Sequence, residues 1–340
     1  MELSLFKIRE NGKYGFMDRF GTVVIEPQYY EAEDFHRGFS RVRLNNKLVP
    51  LDHMGRLLMK HFFNYVGRFE EEKARVQLVT RWGYMDMRGN VSIPIQFEAA
   101  GDFQEGLAPV AIFQQFGFID HQGNWSISPQ FDWANGFSRG LAPVGLGGQT
   151  AFIDMSGDIC IEVPYEKGFP FQENGRSVIM NGDQWGLIDT EGQIVCPPAF
   201  PYEVHAANGQ FSEQRAIISE NGRYGFIDEL GSVIIPPQFD LVGDFSHGLA
   251  PARKSGHYGF VDREGEVIIP FTYQDAGMFS EGLAQVRKKA YWGYIDQEGT
   301  PRIPFRYDRA HPFRDGLAWV ERDGRWAYID ESGSVVWEEP

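Results

Sequence analysis

The chain has 340 residues, a formal charge of −15 at pH 7 and an isoelectric point near 5.0. This acidity speaks against nucleic acid as a general partner, because Lys and Arg supply most of the affinity for phosphate backbones, and it suits a basic protein better. Two cysteines form neither a disulfide framework nor a zinc-binding pattern, and no apolar run reaches the roughly 18 residues that a membrane-spanning helix needs.

The first predicted strand, LSLFKI, follows an acidic residue and is interrupted by Lys7. This start lacks the charge and hydropathy pattern of a signal peptide or a transit peptide. We therefore expect a soluble, cytoplasmic protein that does not bind membranes.

The elements that follow recur about every 34 residues. Ten times an Asp is followed three positions later by Gly, and eleven positions after the first nine of these acids stands an aromatic residue. The pattern predicts one repeat array over residues 1–340, with five extra residues within 201–210. The ten acids are Asp18, Asp52, Asp86, Asp120, Asp154, Asp189, Asp228, Asp262, Asp296 and Asp330.

Each unit contains three strand signals joined by short turns, for example LAP at 249–251, YGFID at 224–228 and SVIIP at 232–236. These signals predict a three-stranded antiparallel meander. The third strand ends in proline, which cannot donate a ladder hydrogen bond, so this strand is expected at a sheet edge.

The YGFID segment is apolar on both faces, since Tyr224 and Phe226 share one side while Gly225 and Ile227 share the other. A sheet of this kind must be covered by neighbours on both sides. We predict an all-β fold of ten stacked units. A propeller-like ring is favoured over an open superhelical array because the degenerate units are internal. The insertion at the midpoint also allows an arrangement of the units in two separate arcs.

The repeated acid is interpreted as structural. Asp at the first position and Gly at the fourth position suit a tight turn, in which the carboxylate accepts bonds from nearby backbone N–H groups. An acid that every unit needs for its turn is no evidence for catalysis.

The unit at 292–320 closely resembles the WG repeat, also called the KWG repeat, of bacterial proteins. The aromatic-Gly pair that names this family stands at Trp82-Gly83, Trp185-Gly186 and Trp292-Gly293, while units two, five and ten depart from it with Leu48-Val49, Thr150-Ala151 and Trp326-Ala327. The resemblance covers essentially the whole chain. It implies a β-rich scaffold without a shared set of catalytic residues.

Departures from the repeat mark the candidate binding residues. Four tryptophans lie outside the aromatic-Gly position, and such residues often line contact surfaces for proteins or sugars, although the more common role of such a ring is to fill a gap between sheets. The irregular loop at the insertion adds three further candidates. The seven residues are Trp125, Trp133, Trp319, Trp337, Tyr202, Glu203 and His205.

No nucleophile elbow, HExxH pair or phosphate-binding loop occurs, so we expect no enzyme activity, metal or cofactor. The leading hypothesis is a non-enzymatic scaffold that binds a protein, and a narrower version is an inhibitor or immunity-type protein that caps a basic toxin. The alternative is a carbohydrate-binding or cell-wall-binding module. An enzyme with a site built from units two, five and six is the least favoured hypothesis.

Overall fold

A computed structural model describes residues 4–44, 47–58, 63–202 and 209–340. The chain forms two compact units. The first comprises Met1–Asp18, Thr22–Gly182 and Ile188–Gln193, and the second comprises Arg19–Gly21, Asp183–Leu187 and Ile194–Pro340.

The described residues form small antiparallel sheets whose strands are hydrogen-bonded in chain order. The first five sheets are β1 (Phe6–Glu10), β2 (Lys13–Met17) and β3 (Val23–Tyr29); β4 (Phe39–Leu44) and β5 (Lys47–Asp52); β6 (Tyr65–Glu70), β7 (Lys73–Leu78), β8 (Arg81–Asp86) and β9 (Val91–Phe97); β10 (Ala99–Ala100), β11 (Ala108–Ile112), β12 (Gln115–Ile119) and β13 (Trp125–Phe131); and β14 (Trp133–Ala134), β15 (Ala142–Leu146), β16 (Gln149–Ile153) and β17 (Ile159–Val163).

The later sheets repeat this arrangement. They are β18 (Lys167–Gly168), β19 (Arg176–Asn181), β20 (Gln184–Asp189) and β21 (Ile194–Pro201); β22 (Phe211–Ser212), β23 (Arg215–Glu220), β24 (Arg223–Ile227) and β25 (Val233–Phe239); β26 (Leu241–Val242), β27 (Ala250–Lys254), β28 (His257–Val261) and β29 (Val267–Tyr273); β30 (Asp275–Ala276), β31 (Ala284–Lys288), β32 (Tyr291–Ile295) and β33 (Pro301–Tyr307); and β34 (Arg309–Ala310), β35 (Leu317–Arg322), β36 (Arg325–Asp330) and β37 (Val335–Glu338).

The all-β prediction and the edge position of the proline-bearing strand are confirmed, whereas the three-strand count is too low for most sheets. A short strand is added before the three expected ones, as when Leu241 and Val242 pair with β27. Two residues are too few to leave a hydrophobic period in the sequence, so the pattern could not predict this strand. Within the described ranges no helix is long and apolar enough to cross a bilayer. The preference for a ring over an open array stays a prediction.

The glycine of the aromatic-Gly pair lies directly beneath the backbone of the edge strand. A Cβ placed on Gly225 would come within 2.2 Å of the Ile235 carbonyl oxygen. The register explains this approach: Tyr224 pairs with Phe239 and Phe226 pairs with Ile235, so β25 bulges over the glycine. The glycine of the aromatic-Gly pair therefore provides the space that the bulge of the edge strand needs.

Two of the units that lack this glycine also lack the bulge at this position. Thr150, Ala151 and Phe152 pair without interruption with Val163, Glu162 and Ile161. In the last sheet, Ala327 and Tyr328 likewise pair with the consecutive residues Glu338 and Trp337. The departures from the sequence motif thus correspond to a different register.

Apolar cores form where successive sheets face each other. Phe260 and Ile269 of the β26–β29 sheet cluster with Phe279, Val286 and Ile295 of the next sheet, and all five side chains are buried. Phe260 and Phe279 pack with their ring centroids 5.0 Å apart. The prediction that neighbouring sheets cover each other is confirmed within this unit.

The repeated acids close the turns, as predicted. Oδ1 of Asp228 accepts hydrogen bonds from the backbone N–H groups of Leu230 at 2.9 Å and Ser232 at 2.8 Å. The Gly231 N–H donates to the Asp228 carbonyl oxygen at 3.0 Å, and Gly231 has a φ of 77° that suits a residue without a Cβ.

Candidate binding surfaces

Trp125 and Trp133 belong to consecutive sheets of the first unit and contact different neighbours. Trp125 is exposed on β13 and meets the Phe97 ring edge to face, with 6.0 Å between centroids. Trp133 is half-buried on β14, and its ring lies over Gly145, where an added Cβ would come within 2.2 Å of Trp133 Nε1. The Gly145 position thus accommodates the Trp133 indole.

Trp319 and Trp337 are brought together in the last sheet, where sequence reasoning did not expect a cluster. The Trp319 ring stacks on Trp326 with 5.1 Å between centroids and on Trp337 with 6.0 Å, and it also contacts Tyr328 at 4.5 Å. The cross-strand pairs Trp319–Tyr328 and Tyr328–Trp337 produce this cluster, because the three residues are neighbours on adjacent strands. Much of each ring surface is therefore taken up by another ring.

The insertion loop is described at its two ends, up to residue 202 and from residue 209. Tyr202 directly follows β21, is exposed, and donates its backbone N–H to the Asp183 carbonyl oxygen at 2.7 Å. Glu203 and His205 lie outside the described residues.

An acidic turn residue joins neighbouring repeats in the first unit. Oε2 of Glu71 accepts a hydrogen bond from the Gly106 N–H at 3.0 Å and lies 3.3 Å from His121 Nε2, while the His121 ring stacks on Phe103 at 4.4 Å. The same arrangement recurs in the second unit, where Glu213 accepts bonds from the Gly248 N–H and from Arg263. Glu71 and His121 therefore have a structural role, and among the described residues no group of three or more His, Cys, Asp or Glu side chains could hold a metal ion.

Two hairpin turns of the first unit break the turn chemistry of the others. Val79 is the first residue of the two-residue turn between β7 and β8, and Phe113 is the first residue of the equivalent turn between β11 and β12. Their φ values are 57° and 52°, and the two residues are 75% and 84% exposed. At this position the other described turns carry residues that suit positive φ or are polar: Asn11, Gly147, Gly182, Asn221, Ser255, Lys289 and Asp323. The sequence signal was present, since apolar residues replace the expected Asn or Gly.

The Val79 and Phe113 turns are held in place by side chains from neighbouring strands. Asn64 Oδ1 accepts the Val79 N–H at 2.7 Å, and Glu98 Oε2 accepts the Gln114 N–H at 2.8 Å. Leu78, which precedes Val79, is also exposed. Leu146, which precedes the equivalent turn between β15 and β16, is exposed as well. We call Leu78, Val79, Phe113 and Leu146 the apolar turn surface.

A cleft of about 550 Å³ lies in the second unit beside the short strands β26 and β30. Leu241, Pro251 and Met278 contribute apolar walls, and Asp244 and Gln285 contribute polar groups. Burial raises the pKa of the Asp244 carboxyl above its usual value. Sequence reasoning did not select this cleft, because Asp244 falls within an otherwise ordinary inter-strand segment.

A family model described as the WG containing repeat matches more than half of the chain, at residues 14–47, 82–112, 116–149, 185–224, 224–256, 258–291 and 292–326. No curated protein matches the sequence.

Among solved structures, that of the eukaryotic initiation factor is 11% identical, with a TM-score of 0.56 over 88% of this chain and 95% of that chain. BamB from Moraxella catarrhalis is 9% identical, with a TM-score of 0.36 over 91% of this chain and 96% of that chain. The likeness to the initiation factor structure shows a similar fold.

Proposed function

Because the chain belongs to the WG-containing repeat family, we propose that it is a non-enzymatic scaffold whose repeats bind a protein partner in the cytoplasm. The apolar turn surface carries this proposal. The acidic balance of the chain favours a basic protein as that partner.

The strain at Val79 is the central observation. A β-branched residue rarely adopts positive φ, and a residue held in such a conformation costs of order 1–3 kcal/mol. Burial of a Val side chain could offset that cost, but Val79 is mostly exposed. Packing within the described protein therefore does not account for an apolar residue here, whereas contact with a partner would.

Phe113 extends the same argument to the next repeat. Phe113 and Gln114 both have positive φ, which is the geometry of a hairpin turn that favours Asn-Gly. An exposed aromatic side chain on a rigid hairpin is well suited to insert into a partner, since aromatic residues dominate the energetics of protein interfaces. Two consecutive repeats thus present apolar side chains in equivalent turns.

A carbohydrate-binding surface has less support. Trp133 covers Gly145, and Trp319 packs on Trp326, Trp337 and Tyr328, so these rings engage the protein itself. Trp125 is the exposed tryptophan among the four candidates.

Affinity capture from the native host's lysate, read by mass spectrometry, tests the proposal. The double variant Val79→Gly, Phe113→Asn introduces residues that suit these turns, so its thermal unfolding midpoint should equal or exceed that of the wild type. In the proposed complex each of the two side chains would be buried against the partner and contribute about 1.5–3 kcal/mol, so the double variant should reduce capture of the partner by at least tenfold.

Leu230→Asn is the matched control, because Leu230 is 68% exposed at a turn of the second unit. Capture by this control should equal that of the wild type. Equal capture by the double variant would remove the apolar turn surface from the proposal. Retention on insoluble polysaccharide without any protein partner would replace protein binding by the carbohydrate alternative.

A further inference from the structure

The cleft beside β26 and β30 contains two polar side-chain groups that lack partners within the described protein. Asp244 takes part in no hydrogen bond or ion pair with any described residue, and burial rather than a nearby charge shifts its pKa. Gln285 Oε1 is buried and accepts no hydrogen bond from the described residues. A ligand that donates hydrogen bonds and carries a positive charge would satisfy both groups.

The equivalent acids in two other repeats are neutralised from within the chain. Lys7 Nζ lies 3.5 Å from Asp34 Oδ1, and Arg75 Nε lies 3.0 Å from Asp102 Oδ1. In both pairs the basic residue precedes the acid by 27 positions. These pairs show that this site of the repeat holds a cation next to its carboxylate.

In the repeat of Asp244, the cation is replaced by an apolar residue. Ile217 precedes Asp244 by 27 positions, and it pairs with Phe226 in the same register in which Lys7 pairs with Phe16 and Arg75 pairs with Tyr84. Ile217 is only 8% exposed and belongs to the core. The carboxylate is thus kept while its internal counter-ion is missing.

We propose that this cleft receives a lysine side chain of the protein partner, whose ammonium group supplies to Asp244 the positive charge that Lys7 and Arg75 supply to the equivalent acids of the other repeats. The aliphatic part of the lysine would lie along Leu241, Pro251 and Met278, and its ammonium would bind the Asp244 carboxylate, with Gln285 Oε1 as a further acceptor. Lysine fits because it combines an apolar stem with a compact charge. This inference rests on the proposed function and assigns a specific contact to it.

Titration with two short peptides tests the assignment on the intact chain. The probes are acetyl-Ala-Lys-Ala-amide and its norleucine analogue, which keeps the stem and lacks the charge. Binding is followed by two-dimensional NMR with isotope-labelled protein. The lysine peptide should bind at least tenfold more tightly than the norleucine peptide.

Asp244→Asn should remove this difference between the peptides, whereas Asp102→Asn, at the equivalent position with an internal partner, should leave it unchanged. Equal affinity of the wild type for both peptides, or an unchanged difference in Asp244→Asn, would overturn the proposal. Ile217→Lys should supply the missing cation internally and abolish binding of the lysine peptide; unchanged binding by a folded Ile217→Lys protein would also contradict it.

The capture experiment separates this inference from the function on which it rests. A partner captured by the wild type and lost by Val79→Gly, Phe113→Asn supports the scaffold function regardless of the peptide result. If capture is at least tenfold weaker in Asp244→Asn, the cleft belongs to the interface. If capture by Asp244→Asn is unchanged, the cleft assignment is wrong while protein binding stands.

Discussion

Single carboxylate oxygens determine the geometry of the repeated turns. Oδ1 of Asp86, Asp120 and Asp228 each accepts two backbone N–H groups, from the residues two and four positions later. Burial alone would raise the pKa of Asp86, but the hydrogen bonds from Asn90 and Arg88 hold that pKa below its usual value. The repeated acid is therefore explained without a catalytic role.

Removal of one turn carboxylate should have a modest effect on stability. Asp228→Ala loses two hydrogen bonds at a surface turn, so we expect a loss of about 1 kcal/mol in the free energy of unfolding. Asp228→Asn keeps an acceptor oxygen and should lose less. Urea denaturation measures both variants, and an unchanged midpoint for Asp228→Ala would contradict the structural role.

At the scale of single residues, the sequence predicted the role of residues that recur in every repeat. It did not identify the residues of the proposed binding sites, which differ from their equivalents in the other repeats. Asp228 was recognisable because the same acid recurs in every unit. Val79 and Phe113 could have been found from the turn chemistry of the other hairpins. Asp244 could not be singled out, because its lack of a partner depends on which residue the fold places opposite it.

At the scale of the strand, the aromatic-Gly pair and the bulge depend on each other. Gly225 has no side chain and admits the backbone of β25, whereas Ala151 and Ala327 lie in strands that pair without a bulge there. The sequence predicted three strands of each sheet because their apolar patterns are long enough to recognise. It gave no sign of the bulge, since a register shift depends on the partner strand.

The bulge makes Gly225 highly sensitive to substitution. Gly225→Ala would place its Cβ against the Ile235 carbonyl oxygen and backbone atoms of Pro236, so we expect a loss of about 2–3 kcal/mol. The matched control, Ala151→Gly, meets no such contact and should lose only about 0.5–1 kcal/mol through increased backbone freedom. Thermal unfolding of the two variants compares them, and equal losses would refute the proposed role of the glycine.

At the scale of the whole molecule, the 47 acidic residues outnumber the 32 basic residues, and this excess would attract the basic partner proposed above. Many of the arginines are already engaged in ion pairs, such as Arg41 with Glu33 and Arg223 with Asp240. The excess acids are therefore the charges that a basic partner would meet.

Salt should consequently weaken capture of the partner. Screening shortens the Debye length from about 14 Å near 50 mM salt to about 6 Å near 300 mM, so we expect the captured amount to fall severalfold over this range. Sucrose at matched osmolarity should have no such effect. Capture that is independent of salt would contradict a basic partner.

The sequence repeat and the sheet are out of phase, and this offset has a genetic consequence. The matched segment 258–291 spans β28 and β29 of one sheet and β30 and β31 of the next. Within regularly spaced repeats, a deletion or duplication of 34 codons joins equivalent positions wherever its ends fall, so every strand keeps its register. A change of 33 or 35 codons inside a strand would turn its buried side chains outward. Unequal recombination between repeats can thus alter the number of sheets without having to break the gene at a domain boundary.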